Sequence, residues 1–279
     1  MCDVLGSLSE SDAAGMEIII KRKIHPILKK VERCGYGCEL KKCIKILKGN
    51  KSCSLFTPNA EMLSAASKNE ELHRLLSSAD ILFPDGIGIN CAMKTFGLRP
   101  LCRSCGIELA ERLFSQLSDS DNSTRIFLLG GERGVSQAAA KKLALKYEGL
   151  YICGTHHGYF DINGKENSLV IDNINKSGAQ LLIVGMGFPR QEMWIRDNLS
   201  KLPNVRLAMG LGGSLDVWSG NVQRAPVAFQ KMGFEWLYRA ISSPKRISRL
   251  PSLFEFLIAI TKEKASFTKH KRIVNLKNQ

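Results

Sequence analysis

At 279 residues, 44% of them hydrophobic, the chain can bury a full core and fits one large domain, or one domain with an appendage. No run approaches the roughly 20 apolar residues that span a bilayer. Nine cysteines, an odd number in a long chain, argue against a disulfide framework. The start, Met1-Cys2-Asp3-Val4-Leu5, has no basic stretch leading an apolar one, so no secretory signal is expected and a cytoplasmic location is. The net charge of +14 is uneven: residues 1–20 hold four acids and no Lys or Arg, and 21–51 hold eleven bases against two acids. Residues 52–223 balance seventeen against seventeen, and 224–279 hold twelve bases against three acids. A neutral body with basic ends implies an anionic partner surface, either nucleic acid or an acidic membrane leaflet.

Residues 1–37 show no pattern that predicts an element, and Cys38 to Leu47 reads as a helix. From 52 to 216, short apolar runs alternate with amphipathic stretches. The spacing predicts strands at Ser54 to Phe56, Ile81 to Phe83, Arg125 to Leu129, Leu150 to Cys153, Gln180 to Val184 and Arg206 to Met209. Helices are predicted at Ala60 to Ser77, Ile107 to Leu117, Val135 to Tyr147, Ser168 to Asn175 and Gln191 to Leu199. This repeating order predicts an α/β fold, a mostly parallel, Rossmann-like sheet with helices on both faces. After Gln223 the character changes. Phe234 to Ile241 and Arg246 to Ile260 read as basic amphipathic helices, with Pro244 and Pro251 as interruptions. The expected organisation is an N-terminal extension over 1–37, an α/β core over 38–223 and a basic helical appendage over 224–279.

The predicted strands end in Thr57-Pro58-Asn59, Pro84-Asp85-Gly86, Gly130-Gly131 and Gly185-Met186-Gly187. Ligands of open α/β sheets gather at the carboxyl ends of strands, so these loops are expected to share a crevice. Gly130-Gly131-Glu132-Arg133-Gly134 can let a phosphate approach the backbone at a helix N-terminus, or can simply make the turn that the fold needs. Asp85 stands at a strand end, where it could take a proton from a hydroxyl or act as a turn residue or helix cap. Thr57 and Asn59 share that ambiguity. Gln191 and Glu192 follow Pro189 near a helix start, where they could bind a base or sugar hydroxyls, or supply ordinary first-turn polarity. Arg239, Arg246 and Arg249 have the spacing of a phosphate-gripping face or of a solvated one. No metal site is expected. Cys102-Arg-Ser-Cys105 lacks a matching second pair, and His156 and His157, as neighbours on a strand, should point to opposite faces.

Six runs, in order and spacing, carry a family resemblance. They are Thr57 to Met62, Asp80 to Gly88, Phe127 to Gly131, Gly154 to Phe160, Gly185 to Glu192 and Arg224-Ala225-Pro226. Over residues 38 to 260 the chain resembles the WecG/TagA/CpsF glycosyltransferases. The resemblance implies an inverting transfer, without a required metal or other cofactor, from a UDP-sugar to an undecaprenyl-diphosphate-linked sugar. Such steps build wall teichoic acid, enterobacterial common antigen, capsule and exopolysaccharide. By resemblance Asp85 matches the base and Thr57 an active-site threonine. Asn59, Gln191 and Asp216 fall among pocket positions, and Arg239, Arg246 and Arg249 match arginines that hold the diphosphate. N-acetylmannosamine is the leading donor sugar, with glucose or a uronic acid as alternatives. The acidic inner face of the cell membrane is the implied partner surface, and a homo-oligomer stays open. A nucleic-acid-binding protein is the competing class, without a standard recognition motif to support it. The chain departs from the family pattern at Glu108, where an Asp is expected before Leu109.

Overall fold

A computed structural model of the chain describes residues 24–32, 35–99, 105–119, 124–226, 229 and 238. Six strands form one all-parallel sheet: β1 Cys53–Phe56, β2 Ile81–Leu82, β3 Ile126–Gly130, β4 Ile152–His156, β5 Leu181–Gly185 and β6 Leu207–Gly210. Their order across the sheet is β2-β1-β6-β5-β3-β4. The helices are α1 (residues 24–30), α2 Tyr36–Leu47, α3 Ala60–Lys68, α4 Glu70–Ser78, α5 Ile87–Thr95, α6 Gly106–Asp119, α7 Val135–Lys146, α8 Lys165–Ser177, α9 Arg190–Asn198 and α10 Ser214–Ser219. The α/β reading of the sequence thus holds.

Alternation along the strands builds two cores. Phe56, Leu82, Phe127, Leu129, Leu182 and Val184 face one side, against α1, α3, α4, α5, α8 and α9. Leu55, Ile81, Ile126, Leu128, Ile183 and Met209 face the other, against α2, α6, α7 and α10. Central strands covered on both faces must be apolar at nearly every position, which is why they read as continuous hydrophobic runs. In α1, Ile24, Ile27 and Leu28 are buried in the first core. Beyond them Val31 pairs with Leu82 and extends the sheet edge at β2.

Two departures from the sequence reading have clear causes. The predicted helix 60–77 is two helices. Asn69 is extended (φ −131°, ψ 122°), and its side chain accepts from the backbone N–H of Glu71 and Leu72, so it ends α3 and caps α4. The central strands β3, β5 and β6 also begin and end one residue later than predicted. The glycines that close them are still paired, Gly130 with Gly185, and Gly210 with Phe56 of β1. The ladder tolerates these glycines, although propensity disfavours them.

Candidate functional site

Because every strand is parallel, all six carboxyl ends lie on one edge. β3 and β5 are neighbours, yet the chain leaves β3 through α7 on one face and leaves β5 through α9 on the other. This divergence opens a crevice at the strand ends. The predicted convergence of Gly130, Gly131, Gly185 and Gly187 is found there. Gly131 N–H donates to Gly185 O at 3.1 Å, and Gly158 N–H donates to Gly131 O at 2.8 Å. Gly130 has φ +145°, and a methyl on it would lie 2.3 Å from Gly185 O. No side chain fits at that point, so the crevice wall is bare backbone.

Gln191 and Glu192 buttress this wall from behind. The Gln191 Oε1 accepts from Gly187 N–H at 3.2 Å and from Gly212 N–H at 2.9 Å. Its Nε2 donates to Glu192 Oε1 at 2.7 Å. One amide therefore holds the loop after β5 to the loop after β6. A methyl on Gly210 would press on Gln191 Nε2 at 3.1 Å, so the strand end must be bare for the amide to fit. Glu192 has no exposed surface, and its Oε2 has no hydrogen-bond partner among the described residues. Burial raises its pKa to about 7, while the Gln191 hydrogen bond pulls the other way. First-turn polarity alone does not describe this residue.

On the other side of β6 the edge presents side chains. Thr57 follows β1, is buried, and donates from Oγ1 to Gly210 O at 3.2 Å. A methyl on Gly106 would lie 3.1 Å from both Thr57 Oγ1 and Cγ2, so the start of α6 closes over the threonine. The loop after β2 is tied alongside, with Asp85 N–H donating to Pro58 O at 2.9 Å. Asp85 is partly exposed and precedes Gly86, the N-cap of α5 at φ +80°. Asn59 uses its Oδ1 to cap α3 through Met62 N–H at 2.9 Å. Asp216 lies in the first turn of α10, the helix that follows the glycine loop after β6, and is partly exposed.

A family model described as Glycosyl transferase WecG/TagA/CpsF family matches residues 30–270. The chain belongs to this family. A glycosyltransferase joins a sugar donor to an acceptor. Glu108, the departure from the family pattern, sits in the first turn of α6 and accepts from Arg224 Nη2 at 2.6 Å. It therefore fastens the segment at Arg224-Ala225-Pro226 to the body of the glycosyltransferase. Arg239, Arg246 and Arg249, and the predicted helices around them, lie outside the described residues.

One sequence expectation is corrected. His156 and His157 do not point to opposite faces: their rings lie side by side, centroids 4.4 Å apart, because His157 is already past the end of β4 and free of the strand alternation. His157 Nε2 lies 3.8 Å from Glu166 Oε1 in the first turn of α8. Burial, His156 and Arg133 lower the His157 pKa, against the pull of Glu166. Sequence reasoning also missed Gly106 against Thr57, which carries no local signal. Nor did it find the burial of Glu192, since a carboxylate in a first turn is ordinarily solvated.

Among the described residues, no helix is long and apolar enough to cross a membrane.

Proposed function

We propose that the chain transfers a sugar, N-acetylmannosamine foremost, from a UDP-sugar to an undecaprenyl-diphosphate-linked sugar, with inversion at the anomeric carbon. The observation that carries this reading is the juxtaposition on one sheet edge. The Asp85 loop is hydrogen-bonded to the Thr57 loop, and Thr57 is hydrogen-bonded to the strand whose glycine end abuts Gln191. Asp85 takes the proton of the acceptor hydroxyl as its oxygen attacks the anomeric carbon. The bond from that carbon to the diphosphate oxygen breaks, and UDP leaves with the electron pair. Backbone N–H groups of the loop 132–134, at the start of α7, and Arg239, Arg246 and Arg249 meet the departing charge, the task a metal ion performs in other transferases. Thr57 and Asn59 border the acceptor side, and Gln191, Glu192 and Asp216 shape the donor side. The family membership supports the sugar transfer, and the basic C-terminal segment supports a lipid-linked acceptor at an acidic leaflet.

The decisive assay measures UDP release from a panel of UDP-sugars, each with a lipid-diphosphate-GlcNAc acceptor analogue. Acceptor-dependent release from UDP-N-acetylmannosamine, without added magnesium or manganese, is the expected outcome. Release from UDP-glucose or a UDP-uronic acid instead would reassign the donor, and release that ignores the acceptor would remove the lipid-linked step. The membrane role has its own measurement. Near an anionic leaflet each basic residue contributes about 1 kcal/mol. Removing residues 224–279 is therefore expected to release the protein from acidic liposomes, and undiminished binding would place the contact elsewhere.

A further inference from the structure

The end of β4 gathers side chains that the proposed transfer does not use. His156 closes the strand, His157 follows it, and Glu166 reaches across from α8. One donor atom from each residue lies within 4.8 Å of the other two. A tetrahedral zinc site with bonds of roughly 2.0–2.1 Å sets its donors about 3.4 Å apart, so modest rotamer changes in three partly exposed side chains close the set.

The hydrogen bonds favour ligation. His156 Nδ1 lies 2.8 Å from the backbone oxygen of His157. A carbonyl can only accept, so Nδ1 carries the hydrogen and the neutral ring keeps its lone pair on Nε2. Ligating histidines are oriented in this way, with the second nitrogen donating to a carbonyl or carboxylate. His157 presents Nε2 to Glu166 Oε1 at 3.8 Å, too far for a direct hydrogen bond and close enough for one ion to join them. Two imidazoles side by side repel each other when protonated, whereas a shared cation beside Glu166 satisfies both.

We propose that His156, His157 and Glu166 bind a divalent first-row transition ion, zinc foremost, which clips the loop between β4 and α8 to the wall of the crevice. Two nitrogens and one carboxylate oxygen select such an ion over magnesium or calcium, which demand oxygen ligands. The clip would work through what the loop already touches. Gly158 N–H donates to Gly131 O, and the Phe160 carbonyl accepts from Arg190 Nη2. Holding 157–166 closed therefore holds Gly158 against Gly130, where a methyl would meet the Gly130 Cα at 3.0 Å. The role is structural, and it stands whether or not the donor and acceptor proposed above are right.

The test uses the full chain, stripped with a chelator and titrated with Zn²⁺ by calorimetry and with Co²⁺ by absorption. One ion per chain is expected, with a Co²⁺ spectrum lacking the thiolate charge-transfer band. His156→Ala, His157→Ala and Glu166→Gln are each expected to weaken binding by about tenfold or more, the scale on which even outer groups act at such sites. Cys102→Ser with Cys105→Ser is expected to leave binding unchanged. Zn²⁺ should also slow proteolysis within 157–165 in the wild type and not in His157→Ala. Absence of binding, binding indifferent to the histidine and Glu166 substitutions, or a thiolate spectrum lost with the cysteines would each overturn the proposal.

Discussion

The two halves of the crevice are built on different principles. From β6 through β5 to β3 the wall is backbone: Gly130, Gly131, Gly185 and Gly210 bring strand ends and loops into contact that a Cβ would prevent. From β1 to β2 the edge is side chain, with Thr57 and Asp85 on short loops backed by α3 and α5. Under the proposed transfer, the first half lets a donor lie close against backbone. Under the same proposal, the second exchanges a proton. Substitutions should then separate cleanly, damaging the fold on the glycine half and the chemistry on the side-chain half.

The largest structural effect is expected at Gly130. A methyl there meets Gly185 O, and φ +145° is forbidding for any side chain. Gly130→Ala is therefore expected to cost about 3 kcal/mol, read as a lower urea midpoint. A midpoint equal to the wild type's would break the contrast between the halves.

Glu192 gives an effect of similar size that depends on pH. Its folded pKa of about 7 lies above the ordinary carboxyl value of 4.5, so the folded state holds a proton that the unfolded state has lost between those values. Stability should fall as pH rises from about 4.5 and level off above about 7, with a total loss on the order of 3 kcal/mol. Glu192→Gln removes that loss. The variant should be more stable than the wild type at pH 8, and the difference should vanish near pH 4. Parallel melting profiles of the two proteins across this range would contradict the burial argument.

Asn59 should give the smallest effect. Loss of its cap in Asn59→Ala is expected to cost about 1 kcal/mol, and Asn59→Asp should restore it by accepting from Met62 N–H as Asn does. If turnover stays low in the Asp variant while stability returns, Asn59 also contacts substrate. If both return together, its work is structural and the side-chain half is narrower than drawn.

Much of this arrangement was legible in the sequence because parallel strands write apolar runs and their turns write Gly, Pro and Asp. The crevice followed from those signals alone. The break at Asn69 was missed because one residue both ends α3 and caps α4, and apolar periodicity continues across it. The helix at 24–30 was missed because it is short and sits in a basic segment that reads as solvated, although Ile24, Ile27 and Leu28 are buried. The Gln191 bridge to Gly187 and Gly212 spans 21 positions in its longer arm, a separation that no local pattern reports. The histidine pair escapes strand alternation because β4 ends at His156, one residue before His157.

Asp85→Asn is the sharpest test of proton transfer by Asp85, with UDP binding and acceptor-dependent turnover measured on the same preparation. UDP affinity is expected to stay close to wild type, with an unchanged melting temperature and turnover reduced by about a hundredfold to ten-thousandfold, the range for loss of a general base. Turnover near the wild-type rate would remove Asp85 from the chemistry. Loss of UDP binding together with turnover would move it to the donor-binding wall and erase the division between the two halves.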